Sequence, residues 1–326
     1  MADFIHSILE PTAAIAADAD EIIDLPVNPL SLVLINIKPL NESSTITTYR
    51  LLEALLGAVA NVEISHKGAS VINASGTDLA VMAMLYHGAA IWQSNAFETD
   101  NFRRSIVLPI FLSRKPFMSD EGFPASRRGE LQLRITWDIA AAGFDALTRS
   151  IETIELPEAN PTFVQKVTTL ATTFGATGQQ FVDLPIGNVM RGCLLFGTTP
   201  FTGAAPAPSW GRVEFLVNNQ QRMFTGTDWE TLRGLPGLRG VPFPPDGRHI
   251  HSVNAAGAGR EDSLEPEVGA SIDDNYALLD LDPTRDDEFS IDTEGASRVH
   301  IRSEAETADA VRVLPIERVP VTRFLT

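Results

Sequence analysis

The feature that most constrains this chain is a segment that occurs twice. Val62-Glu63 opens a strand-like run, turns at His66-Lys67-Gly68-Ala69, returns through Ser70 to Asn73 and reaches Gly76-Thr77-Asp78-Leu79. Val213-Glu214 opens a second such run, turns at Asn218-Asn219-Gln220-Gln221, returns through Arg222 to Thr225 and reaches Gly226-Thr227-Asp228-Trp229. The valines stand 151 residues apart and the glycines 150. Each copy is then expected to enter a helix, with Thr77 or Thr227 as N-cap and an Asp in the first turn against the helix dipole. The match continues more loosely through a hydrophobic strand (105–112 and 276–282) and an alternating one (131–137 and 298–302), with Leu133 aligned to Val299. The same elements recurring in the same order imply a duplicated unit. The seam falls at 156–161, where Pro-Glu-Ala-Asn-Pro breaks any regular element.

The repeated unit is built mainly of strands. Leu131-Gln132-Leu133-Arg134-Ile135-Thr136-Trp137 alternates strictly, as a strand with one wet face does. Leu32 to Ile37 is nearly all apolar, the pattern of a strand covered on both faces. Further runs at 180–184, 191–196, 212–217 and 310–316 are separated by turn signals, with 21 Pro and 23 Gly in the chain. Many short strands of this kind point to sandwiches or barrels. Helical signals are few: 49–60, with Leu51, Leu52, Leu55, Leu56 and Val59 on one stripe; 77–87, closed by Gly88; and an amphipathic stretch within 1–24, interrupted by Pro11. The expected fold is all-β, two tandem eight-stranded jelly rolls with short helices in loops. The expected divisions are an N-terminal arm (1–24), a first roll (25–158) and a second roll (159–326).

Composition narrows the function. The 326 residues include 44% hydrophobic ones, enough for sizeable cores, and carry a net charge of −17. So acidic a surface repels phosphate, which argues against sequence-specific nucleic-acid binding. The single cysteine, Cys193, lies in an apolar run and reads as a buried thiol. No run reaches the length of a membrane span, and residues 1–24 lack the basic start of a secretory signal, so a soluble cytoplasmic folding history is expected.

Catalytic chemistry finds no setting. There is no Gly-x-Ser-x-Gly elbow, no phosphate-binding loop of the Gly-x-x-x-x-Gly-Lys-Ser type and no dinucleotide fingerprint. His249-Ile250-His251 could share a strand face, but lacks the further ligands of a cupin set, and Arg248 opposes a cation. Asp280, Asp282, Asp286 and Asp287, with Glu288, form an oxygen-rich cluster that is a candidate for a structural Ca2+, although it has no EF-hand order and Asp282-Pro283 also reads as a strand-end turn. No other cofactor is expected.

In the order and duplication of its segments the chain resembles the double jelly roll major capsid proteins of the adenovirus and tailless-phage lineage, above all those of corticovirus-like and autolykivirus-like bacteriophages. The residues that carry the resemblance are Val62 to Gly68, Ser75 to Leu79, Arg103 to Pro109, Phe181 to Pro185 and Tyr276 to Pro283. The resemblance covers 30–320. It implies two upright rolls per chain, homotrimers that imitate hexamers and tile an icosahedral shell, and no enzymatic activity. It further implies neighbouring capsomers and minor capsid or vertex proteins as partners, an internal viral membrane as a candidate partner, and a place in the virion capsid after assembly in the host cytoplasm. Loops at 198–209 and 235–275 are the candidate outer towers. The two Arg doublets, Arg103-Arg104 and Arg127-Arg128, are candidate interface residues for acidic loops of a neighbouring copy. The alternative is a carbohydrate-binding or carbohydrate-active tandem sandwich, which would want exposed aromatics, whereas Trp92, Trp137, Trp210 and Trp229 are scattered and Tyr numbers only 3.

Overall fold

A computed structural model describes residues 3–15, 19–41, 52–89, 91, 93–94, 103, 105–139, 144–199, 208–239, 251–252, 261–262 and 275–325. The strands of the first half are β1 (Ile5–Ala14), β2 (Asp20–Asp24), β3 (Leu30–Asn41), β4 (Val59–His66), β5 (Ala69–Ala74), β6 (Gln93–Ser94), β7 (Ser105–Phe111), β8 (Leu131–Trp137) and β9 (Phe144–Glu155). Those of the second are β10 (Phe163–Thr168), β11 (Leu170–Thr173), β12 (Gly178–Asp183), β13 (Val189–Gly197), β14 (Val213–Val217), β15 (Gln220–Thr227), β16 (His251–Ser252), β17 (Glu261–Asp262), β18 (Tyr276–Asp280), β19 (Ile291–Asp292), β20 (Val299–Ala305) and β21 (Ala310–Pro320). The helices are α1 (Leu52–Gly57), α2 (Gly76–Leu85), α3 (Trp229–Gly234), which runs into a 3-10 turn at Leu235–Arg239, and α4 (Thr322–Leu325).

The chain divides into two compact units: Met1–Val164 with Pro244–Glu267 and Val321–Thr326, and Gln165–Phe243 with Val268–Pro320. In the first, one sheet runs β1-β9-β3-β7-β6 and the other β5-β4-β8-β2. In the second, one sheet runs β18-β13-β21-β10, with β11 on β21 and β19 on β13, and the other β12-β20-β14-β15. Let the eight main strands of each unit be numbered in chain order. In both units the first, eighth, third and sixth lie side by side, as do the second, seventh, fourth and fifth. That strand order is the jelly roll, and it is complete twice.

The segment seen twice in the sequence is the fourth-to-fifth hairpin and the helix after it. Both hairpins turn through two left-handed residues, Lys67 and Gly68 (φ 50° and 83°) and Asn218 and Asn219 (φ 52° and 64°). This is the type I′ geometry that matches the right-handed twist of paired strands. The helix caps differ from expectation. Ser75, not Thr77, caps α2, its Oγ accepting from Asp78 N at 3.1 Å; the helix starts two residues earlier than expected and buries nearly all its length. Asp228, not Thr227, caps α3, without a side-chain hydrogen bond.

The alternating run is β8, and Leu131, Leu133, Ile135 and Trp137 all point into the core. In β3, Val33, Ile35 and Ile37 are fully buried but Leu34 and Asn36 only partly, so this strand has one core face, not two.

The expected N-terminal arm is a correction. Residues 5–14 and 20–24 form no helix and no arm: β1 pairs with β9 and β2 with β8, supplying the first and second strands of the first roll. Among the described residues both are edge strands with a single neighbour, so their apolar residues need not alternate cleanly, and Pro11 is tolerated where one N–H side is open. β9 is long but polar, and it buries Arg149, Ser150, Thr153 and Glu155 among its aliphatic residues.

The second core gathers Trp210, Trp229, Phe174, Phe215 and the aliphatic residues of β13, β18, β20 and β21.

Candidate functional site

Asp280 ends β18 and the other acidic candidates lie in the turn after it, where arginines and backbone amides take oxygens of Asp280, Asp282, Asp286 and Asp287. Arg191, fully buried on β13, donates from Nε to Asp287 Oδ1 at 2.6 Å and from Nη2 to Oδ2 at 2.9 Å. Arg318 Nη1 donates to the same Oδ2 at 3.0 Å. Arg285 Nη1 reaches Asp280 Oδ1 at 2.9 Å, and Asp282 Oδ1 accepts from the amides of Asp286 and Asp287. Asp286 Oδ1 accepts from Thr284 Oγ1 and from Glu288 N. The left-handed backbone at Arg285 and Asp287 is what folds these groups together. Among the described residues no group of three His, Cys, Asp or Glu is placed to hold a metal ion. The turn is an arginine-carboxylate knot.

Arg127 and Arg128 are exposed in the turn before β8. That turn is held by Glu130, whose Oε2 accepts from Arg127 N at 3.2 Å and whose Oε1 lies 3.8 Å from Lys67 Nζ. The Arg127 amide, with Lys67 nearby, holds the Glu130 carboxyl below its ordinary range. Arg103 is exposed and bridges to Leu40; Arg104 lies outside the described residues, as do His249, Trp92 and most of both tower candidates. Nothing is described of the His251 side chain on β16. Cys193 is buried, and desolvation pushes its thiol far above the ordinary range, as for an inert core sulfur.

A second repeat appears only with the strands in place. Ile22-Ile23-Asp24-Leu25-Pro26 ends β2, and Phe181-Val182-Asp183-Leu184-Pro185 ends β12, the second strand of each roll. Ile22 sits opposite Arg134 and Phe181 opposite Arg302. Arg134 in turn faces Glu63, and Arg302 faces Glu214, with which it is hydrogen-bonded. The same row of an exposed apolar residue, an arginine and a glutamate therefore crosses both rolls. It also corrects the looser alignment: Leu133 corresponds to Ile301, two residues beyond Val299.

On the first roll this row is pinned from the N-terminal side. Asp20 accepts from Thr136 Oγ1 and Arg134 Nη2, both at 2.6 Å, and these bonds keep its carboxyl below the ordinary range. Glu21 takes both Nε and Nη2 of Arg149 at 3.0 Å and the indole N–H of Trp137 at 3.1 Å. On the second, His300 is buried beside Phe181. Burial, with Arg298 and Arg302 nearby, lowers its pKa, outweighing the opposite pull of Asp183.

No family model matches the sequence, and no curated protein matches it. Solved structures do match, over nearly the whole chain. The major capsid protein P2 of bacteriophage PM2 aligns at 11% identity with a TM-score of 0.63, covering 98% of each chain. The fold is that of the double jelly roll capsid proteins. The major capsid protein of Sulfolobus turreted icosahedral virus aligns at 14% identity with a TM-score of 0.66, covering 98% of this chain and 97% of that one. The PBCV-1 virus capsid aligns at 10% identity with a TM-score of 0.58, covering 98% of this chain and 94% of that one. At such identities the likeness is one of architecture, and function has to be argued from it.

Proposed function

We propose that this chain is a major capsid protein, forming homotrimers whose six rolls tile an icosahedral virion shell. The observation that carries the reading is the alignment end to end: two complete rolls in tandem, not one roll or a fragment, correspond to coat proteins over 98% of the chain. A duplicated chain offers two similar sets of lateral surfaces. Three copies then present six, which lets a closed tile form from one gene product. Its work is mechanical, resting on shape complementarity and buried apolar area between copies, and needs no active site. Its partners are itself, neighbouring capsomers and minor capsid or vertex proteins. Its place is the virion capsid, reached after assembly in the host cytoplasm. The exposed Arg127 and Arg128 suit an acidic surface of a neighbouring copy, since the chain carries a net charge of −17.

The carbohydrate reading loses support from the tryptophans. Trp137, Trp210 and Trp229 are all buried, so none of them can form a sugar platform.

Imaging of the purified native protein tests the reading. Hexagonal particles that form ordered sheets or shells on concentration are expected. Featureless single particles at every concentration, together with binding to a glycan array, would transfer the assignment to the sugar-binding sandwich.

A further inference from the structure

We infer that the outer edges of β2 and β12 are where each roll meets another copy of this chain, with Ile22 and Phe181 as the paired apolar contacts. The inference rests on the capsid reading and says which surfaces carry the assembly.

Both strands end their sheets: among the described residues β2 has only β8 beside it, and β12 only β20. An open edge presents unpaired backbone groups, and proteins that stay monomeric blunt such edges with bulges, prolines or coverage. Other edges in this chain carry these devices. β1 holds Pro11 and two register shifts. β15 has two register shifts and a left-handed Met223. β18 is buried along Tyr276 to Leu279 and packs against α3. By contrast β2 and β12 pair in unbroken register over five and six residues, without proline or bulge.

Each of these plain edges also exposes one large apolar side chain in its middle, Ile22 at 64% and Phe181 at 49%. A single exposed apolar residue on a surface means little. Here the two stand at the same place in two rolls that differ at most other positions. Each begins the same apolar-apolar-Asp-Leu-Pro run and sits in the same arginine-glutamate row. The inward neighbours, Ile23 and Val182, are retained for the core, whereas the outward Ile22 and Phe181 stay exposed, Phe181 covering only His300 and Arg298 with part of its ring. What retains them twice is a surrounding that both rolls share, and in a tile built from one chain that surrounding is another copy. The charges agree: the arginine and glutamate of each row, with Asp20 on one and Asp183 on the other, give an alternating strip that a second copy of itself can complement.

The test uses two variants of the full chain. In Ile22→Cys/Phe181→Cys the only other thiol is the buried Cys193, so a bis-maleimide reports the two edges alone. Covalent species of two or more chains are expected in the native assembly and should vanish on dilution below the assembly concentration. In Ile22→Glu/Phe181→Glu, with both changes at exposed positions, the assembled fraction at micromolar concentration should fall at least about tenfold, since each places an unpaired charge in a closing interface. Wild-type protein that assembles, while the cysteine variant gives no inter-chain product and the glutamate variant assembles unchanged, would overturn this inference and leave the capsid reading standing. Wild-type protein that is monomeric at every concentration would overturn both.

Discussion

Replacing Asp287 with Asn keeps the shape of the turn after β18 and removes its charge. Arg191 is fully buried and donates two bonds to that carboxylate, at 2.6 and 2.9 Å, and Arg318 adds a third at 3.0 Å. Removing one partner of a buried ion pair costs about 3–5 kcal/mol, because the remaining charge keeps its desolvation penalty. The Asp287 side chain is 17% exposed and water can relieve part of this, so the lower end, about 3 kcal/mol, is expected. Replacing both partners, Asp287→Asn with Arg191→Met, exchanges the guanidinium for an apolar chain of similar length and should recover most of the loss. Urea unfolding followed by tryptophan fluorescence measures this, since Trp210 and Trp229 sit in the second core. A loss under about 1 kcal/mol in the single variant, or a double variant as unstable as the single, would refute the claim that the knot is held by this pair.

Three further outcomes follow from the same structure. Gly68→Ala should cost about 1–2 kcal/mol, because Gly68 has φ of 83° while nothing stands near an added Cβ, so only backbone strain acts; equal urea midpoints for the two proteins would contradict the turn assignment. Glu21→Gln should destabilise the first roll by about 1.5–3 kcal/mol through the Arg149 and Trp137 bonds, and hydrogen exchange should rise in β2 first. His300 has a lowered pKa in the folded state, so the unfolded chain binds its proton more readily, and the stability His300 contributes is lost as pH falls below about 6.5. His300→Gln should flatten that part of the stability profile between pH 7.5 and 5.5, and an unchanged slope would show that other groups set it.

What the sequence disclosed depended on how each strand is buried. β8 faces the core with alternate residues only, and its pattern is plain. The hairpins carry their own turn chemistry, so the duplication was legible at 62–79 and 213–229. β9 was hidden because its buried polar residues are satisfied by distant partners, Arg149 by Glu21 and Glu155 by Ser7 and Asn28. β1 and β2 were hidden because edge strands need no second buried face. Their signal was nonetheless present in the repeated Asp-Leu-Pro at 24–26 and 183–185, which aligns the end of the supposed arm with the second strand of the second roll. The acidic turn could be seen as a cluster, but not its cations. Arg191 and Arg318 lie on β13 and β21, far from it in sequence, and are brought to it by the order of strands.

The native mass of the purified protein in solution tests the central claim most directly. A capsomer built from this chain should weigh about three times the 35.4 kDa of one copy and hold that mass at micromolar concentration. A particle of 35.4 kDa that stays single as concentration rises would contradict the account.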